Sequence, residues 1–339
     1  MILVTGATGL VGSHILYKLL EKGLQVRALY RAGSDLERVK RVFGYYSTNP
    51  EGLYDKIEWY EADILDPAAL DEAFKNINRV YHCAALISFD PKDKKRLYKA
   101  NVVGTQNVIN YCIHYKVNKI CYVSSIAALG DGAHQQLMNE ETEWEENTRS
   151  AYSVTKYAAE KEVWRGAQEG LQVVIVNPGI IIGPGFWHSG SGALFKLVAK
   201  KPKWYPPGGS GVVTINDVIG SMIGLMNSDI TGERYVLVNQ NMTYKEIFSA
   251  IAREYNVSAP KKAFKKWHLR LLLPLDWLHA RIYNKARKIT SDNIKGLSNI
   301  KIFDGKKIER DLSFSYELMA QAIYFGCNKY KAEYPDKFL

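Results

Sequence analysis

Short apolar runs alternate with longer stretches of helical spacing from the second residue onward. Ile2–Thr5, Gln25–Tyr30, Ile57–Tyr60, Arg79–Cys83, Lys119–Val123 and Gln172–Val176 read as strands, each a compact apolar run bounded by turn or charged residues. Between them, Gly12–Lys22 and Asn101–Tyr115 carry apolar residues at three- and four-residue intervals, as amphipathic helices do. Regular strand-helix alternation predicts an α/β fold with a parallel sheet and crossover helices; begun at the first residue, it favours a doubly wound sheet over a barrel. After Asn177 the texture changes, and Pro178-Gly179, Gly183-Pro184-Gly185, Gly190, Gly192 and Pro206-Pro207-Gly208-Gly209 punctuate the chain as loops do. Helical patterns at Thr243–Tyr255, Phe264–Lys285 and Ser315–Tyr324 predict a smaller, mainly helical C-terminal lobe. The expected division is residues 1–176 as a nucleotide-binding domain and 177–339 as a substrate-binding region, some segments of which return to the first domain. There is no internal repeat and no low-complexity segment.

At 339 residues and 47% hydrophobic content the chain can bury a large core. Its four cysteines, Cys83, Cys112, Cys121 and Cys327, are far apart, which fits neither a zinc cluster nor a secreted disulfide framework and points to a reducing, cytoplasmic compartment without a bound metal. No basic segment followed by an apolar one opens the chain, and charges interrupt every apolar stretch before it reaches the roughly 20 residues a membrane span needs. The net charge of +10 is concentrated between Lys261 and Lys307, where Lys261, Lys262, Lys265, Lys266, Arg270, Arg281, Lys285, Arg287 and Lys288 interleave with Trp267, Leu271, Leu272, Leu273, Trp277 and Leu278. That amphipathic pattern reads first as a helical surface with its apolar side on the core, and second as weak peripheral contact with a membrane surface. No recognition motif accompanies the charge, so nucleic acid is not an expected partner.

Two constellations carry chemistry. Thr5-Gly6-Ala7-Thr8-Gly9-Leu10-Val11-Gly12 joins the first strand to the first helix, where glycines permit a tight turn and close backbone approach, and where free N–H groups and the helix dipole favour an anion. Tyr152 and Lys156 are four residues apart on a predicted long helix running to Gln168, so phenol and ammonium share a face. A cation beside a phenol brings its titration toward the working range, which gives the spacing a use in proton transfer.

The T-G-x-x-G-x-x-G turn followed by Y-x-x-x-K resembles the extended short-chain dehydrogenase/reductase family, closest to its dihydroflavonol-reductase-like branch. The resemblance implies a doubly wound (Rossmann) sheet and an NAD(P)-dependent oxidoreductase with catalytic Ser125, Tyr152 and Lys156. It places Thr5, Gly6, Thr8, Gly9, Leu10, Val11 and Gly12 under the pyrophosphate, Asp63 and Ile64 at the adenine, and Cys83, Ala84 and Ala85 along the cofactor. Asn101, which begins the next helix of the family pattern, is implied as a cofactor residue as well, as are Tyr152 and Lys156, the latter at the nicotinamide ribose. Ser124 orients the backbone or nicotinamide, and Pro178 and Gly179 hold the nicotinamide end. Ser125 is chosen over its neighbour Ser124 by position relative to Gly130.

The end of the second strand carries Tyr30 and Arg31 where an NAD enzyme usually has a carboxylate, so NADP is the preferred cofactor and NAD the alternative. The expected reaction is reversible hydride transfer between NADP(H) and a small-molecule carbonyl or alcohol. A nucleotide-sugar epimerase that retains NAD(P) is the alternative, supported by Asn177-Pro178. Against it, Asn216-Asp217-Val218 lacks the preceding run that many epimerases have. Phe186, Trp187, Phe195, Trp204 and Tyr205 read either as an apolar substrate pocket or as packing beneath a loop. The resemblance also implies a homodimer through the helices of Asn101 and Tyr152.

Overall fold

The computed structural model describes residues 1–130, 137–144, 150–265, 267, 268, 273, 274, 276, 281 and 290–338. The chain begins β1 (Ile2–Thr5), α1 (Leu10–Glu21), β2 (Val26–Tyr30), α2 (Leu36–Phe43), α3 (Pro50–Tyr54), β3 (Glu58–Glu61), α4 (Pro67–Ala73) and β4 (Arg79–His82). It continues through α5 (Lys94–Leu97), α6 (Gly104–His114), β5 (Lys119–Val123), β6 (Leu137–Met138), α7 (Ala151–Gln168) and β7 (Gln172–Pro178). Next come β8 (Ile180–Ile182), α8 (Ala193–Ala199), β9 (Trp204–Tyr205), β10 (Gly209–Thr214), α9 (Ile215–Asn227), β11 (Glu233–Leu237), β12 (Gln240–Thr243) and α10 (Tyr244–Tyr255).

Seven strands form one parallel sheet in the order β11-β7-β5-β4-β1-β2-β3. Strand order reverses between β1 and β4, so loops leaving their C-terminal ends part and open a crevice. Both faces of the sheet are covered. In β1, Ile2 and Val4 join α1 and α9 residues such as Leu16, Ile219 and Met222 on one side, while Leu3 joins Val108, Cys112 and Val163 of α6 and α7 on the other. Strand β7 divides the same way, Val174 and Val176 against Val173 and Ile175. Two buried faces explain why these strands read as continuous apolar runs, each such side chain contributing about 1.5–3 kcal/mol.

The six predicted strands are present with ends moved by a residue or two. The seventh, β11, follows a turn at Gly232 and pairs Glu233–Leu237 with Val174–Pro178 of β7, which brings the later part of the chain back into the first sheet. A three-stranded sheet, β12-β10-β8, and helices α8, α10 and Met319–Glu333 make a further body around Phe195, Phe248, Ile251 and Tyr330. The helix predicted at Ser315–Tyr324 thus begins later and runs longer. Most of the helix predicted at Phe264–Lys285, with Lys266, Arg270, Lys285, Arg287 and Lys288, lies outside the described residues. Among the described residues no helix is long and apolar enough to cross a membrane.

Candidate active site

The glycine turn is built for close approach. Gly6 takes φ +64°, and a Cβ there would lie 2.6 Å from the Ala84 backbone; at Gly12 it would lie 2.1 Å from the Gly6 carbonyl oxygen. Only glycine satisfies both positions, because β4 and the start of α1 are already in contact with the turn. Gly9 is the N-cap of α1 and provides no side-chain cap, and the first turn contains no acid. The N–H groups at Leu10, Val11 and Gly12 therefore open the helix without a carboxylate competing for the site, an anion-binding arrangement that fits a dinucleotide pyrophosphate.

The other predicted cofactor residues line the same edge. Cys83 N–H donates to the Thr5 carbonyl at 3.2 Å and Ala84 N–H to Thr5 Oγ at 3.3 Å, which fastens the β4 turn beside the glycines. Asp63 accepts from Leu65 N–H at 2.9 Å, and the Ile64 carbonyl accepts from Asn107 at 2.9 Å. Tyr30 ends β2 with its ring edge-on to Trp59, and the next residue, Arg31, is exposed; its guanidinium has no partner among the described residues. Gly179 N–H donates to the Leu237 carbonyl of β11 at 3.0 Å. Asn101 is 1% exposed in a π-helical turn, Tyr98–Val103, and clamps Leu86 through both its amide atoms while donating to Thr155 Oγ at 3.1 Å.

Helix α7 follows its N-cap Ser150, whose hydroxyl accepts from Ser153 N–H, and carries Tyr152 toward Ser125, beyond the end of β5. Burial pushes the Tyr152 phenol above its ordinary range, and the Ser125 side chain opposes that. Lys156 is 1% exposed, and its ammonium donates to Tyr122 Oη and to the Val123 carbonyl, each at 2.8 Å. Burial lowers its titration to about 7, opposed by the negative charge of Glu160 and by Cys83. Lys156 is thus engaged with β5, and the influence that opposes burial at the phenol comes from Ser125 rather than from the ammonium expected to lower it.

Beneath these residues runs a buried polar chain that sequence reading did not anticipate. Thr5 Oγ meets His82 Nδ1 at 2.6 Å, His82 Nε2 meets Thr105 Oγ at 3.0 Å, and Tyr122 lies over His82 with ring centroids 5.3 Å apart. Burial and the Lys156 charge lower His82 to about 3, so its imidazole is neutral. Ser124, predicted as an orienting residue, donates to the buried Glu160 at 2.7 Å. A charged residue at 160, one turn past Lys156 on the same face, was the available signal.

The aromatic residues after Asn177 divide. Phe186, Trp187 and Phe195 are buried, Trp187 and Phe195 inside the C-terminal core, so all three serve packing, whereas Trp204 stacks on Phe264 at 5.3 Å. Nearer Tyr152 is the exposed Phe89, its ring 5.7 Å from that of the tyrosine. A cavity of about 140 Å³ between Pro184, Asn216 and Glu317 includes none of the predicted site residues.

Comparison with known proteins agrees with this fold. The NAD dependent epimerase/dehydratase family matches residues 2–203. A Synechocystis sp. protein bearing a provisional dihydroflavonol 4-reductase name is 28% identical over 333 residues, 94% of this chain and 91% of that protein. Cinnamoyl-CoA reductase 1 of Petunia hybrida is 28% identical over 272 residues, 76% of this chain and 79% of its own. A UDP-glucose 4-epimerase structure from Thermotoga maritima superposes with a TM-score of 0.76 at 18% identity, over 98% of this chain and 99% of that one, a likeness of fold.

Proposed function

Because the chain belongs to the NAD-dependent epimerase/dehydratase family and is an NAD(P)-dependent enzyme, we propose that it is an NADP-dependent reductase of a carbonyl compound with an apolar flank. The reading rests above all on the placement of Lys156, one turn beyond Tyr152 on α7, with its buried ammonium held 2.8 Å from both Tyr122 Oη and the Val123 carbonyl of β5. When bound, the dinucleotide supplies the hydride that the carbonyl carbon accepts.

This chain's own groups do the rest. A phenol held above its ordinary range is fully protonated at neutral pH, so Tyr152 is a ready donor to the carbonyl oxygen, and the resulting alkoxide character is neutralised as it forms. Ser125 holds that oxygen and shares the proton, a donor fixed in place before reaction. Lys156, partly protonated near neutrality, supports recharging of Tyr152 and offers an ammonium to the nicotinamide ribose. Gly6, Gly9 and Gly12 admit the pyrophosphate. Arg31, exposed just after β2 and without a side-chain partner among the described residues, suits a 2′-phosphate, which a guanidinium grips bidentately. The exposed ring of Phe89 offers an apolar surface beside Tyr152.

Both reductase relatives support reduction over epimerisation. The test is a panel of aryl and alkyl ketones and aldehydes with NADPH, followed by absorbance. Stoichiometric loss of reduced cofactor is expected; cofactor that stays bound and unconsumed while a UDP-sugar is inverted would establish the epimerase reading instead.

A further inference from the structure

One buried carboxylate on the helix of Tyr152 and Lys156 ties that helix to three strands of the sheet. Glu160 is 2% exposed and lies one turn beyond Lys156 and two beyond Tyr152 on α7. Its Oε2 accepts from Ser124 Oγ at 2.7 Å and from Asn177 Nδ2 at 2.9 Å, and its Oε1 accepts from Arg234 at 3.1 Å. Those three partners sit at the end of β5, at the end of β7 and on β11. Asn177 also donates to the Ser125 carbonyl at 3.1 Å, and Arg234 donates to the Glu140 carbonyl at 2.9 Å. A buried ion pair is a poor means of stabilising a core, since apolar residues of the same volume serve as well or better; what it fixes is geometry.

We propose that Glu160 is a positioning residue: it locks the helix of Tyr152 and Lys156 against the strand ends bearing Ser125 and Pro178, and sets a negative charge beside Lys156. The inference rests on the reading of Ser125, Tyr152 and Lys156 as the reacting set. Lys156 is faced by the Tyr122 hydroxyl and ring and the Val123 carbonyl from β5, by His82 and Cys83 from β4, and by Glu160 on its own helix. His82 is neutral and burial pushes the Cys83 thiol up to about 12, so Glu160 is the anion among them near neutrality. An opposite charge at this range favours the ammonium.

The experiment compares wild type with Glu160→Gln and Glu160→Asp by ¹³Cε NMR titration of selectively labelled lysine, the Lys156 signal being assigned by its loss in Lys156→Met. The wild-type midpoint should lie near 7. In Glu160→Gln it should fall by about one pH unit, and in Glu160→Asp, which keeps the charge but shortens its reach, it should stay while kcat drops about tenfold at an unchanged KM for the carbonyl substrate, the order of effect expected when a reacting geometry is loosened by less than an ångström. A residue that merely supports the fold would lower Tm in both variants and leave the Lys156 midpoint in place, which overturns the proposal. Wild-type kcat in both variants overturns it as well. Should the Gln variant fail to fold, the Asp variant alone decides through its kcat and KM. The titration needs no turnover, so it separates this inference from the catalytic reading, which fails on its own if Tyr152→Phe reduces ketones normally.

Discussion

Replacing Gly12 by alanine should abolish useful cofactor binding although it inserts a single methyl group. An alanine Cβ at this position would sit 2.1 Å from the Gly6 carbonyl oxygen, 2.7 Å from its carbon and 2.8 Å from Ala7 Cα, and all three are backbone atoms. Opening the first contact to the 3.0 Å that real Cβ atoms keep requires the start of α1 to retreat by about 0.9 Å. Overpacking of this kind costs about 1–3 kcal/mol, against which the better helix propensity of alanine returns at most about 1 kcal/mol. The larger effect is on function, because the retreating backbone carries the N–H groups of Leu10 and Val11. Displacing fixed donors by about an ångström costs on the order of a hundredfold, or about 2.7 kcal/mol. NADPH titration by nicotinamide fluorescence should therefore give a Kd about 100-fold weaker, with a Tm lowered by a few degrees. Gly23→Ala is the control: its φ of +74° makes it strained, yet a Cβ there meets nothing within 4 Å, so it should cost about 1 kcal/mol of stability and leave NADPH affinity untouched. A Gly12→Ala protein that binds NADPH within twofold of wild type would refute the reasoning.

Tyr152→Phe should lower kcat at least a hundredfold with NADPH affinity unchanged, read by single-turnover absorbance. Arg31→Asp should weaken NADPH more than tenfold and strengthen NADH, and titration of both cofactors checks the reversal. Because burial holds Lys156 near 7 in the folded chain against 10.5 in the open one, the unfolded state binds more protons between those values and stability should rise with pH across that window. Lys156→Met removes the contribution, so its Tm advantage over wild type should be full below pH 7 and should shrink toward pH 10, as followed by thermal unfolding in a buffer series. The chain should form a homodimer through the helical faces carrying Tyr98 and Val154, both exposed, and Val154→Glu should yield monomers by light scattering.

The first sheet was legible because its strands are buried on both faces, which leaves runs such as Ile-Leu-Val-Thr at the start of the chain with no competing reading. The glycine turn and the Tyr152/Lys156 pair were legible for a different reason: their spacing is local, the first within Thr5–Gly12, which joins β1 to α1, and the second within about one turn of helix. Strand β11 was not, since Glu-Arg-Tyr-Val-Leu opens with two charges whose partners, Lys307 and Glu160, are distant in sequence. The same holds for His82 and Tyr122. Each looks like an ordinary strand residue until the parallel register brings them side by side. Phe186 and Trp187 show the opposite limit, for an aromatic residue after a glycine-rich loop has the same sequence signature whether it lines a pocket or fills a core.

Strand β11 also has a bearing on how the molecule comes into being. Leu237 receives the Gly179 amide and Arg234 neutralises Glu160, so the candidate site is finished by residues synthesised long after its glycine turn and its Tyr152/Lys156 pair have left the ribosome. A nascent chain halted near residue 203 would hold every recognisable motif and still leave the β7 edge bare and a carboxylate unneutralised in its interior. Truncated genes that keep the motifs and drop the last third should therefore encode insoluble or inert polypeptides.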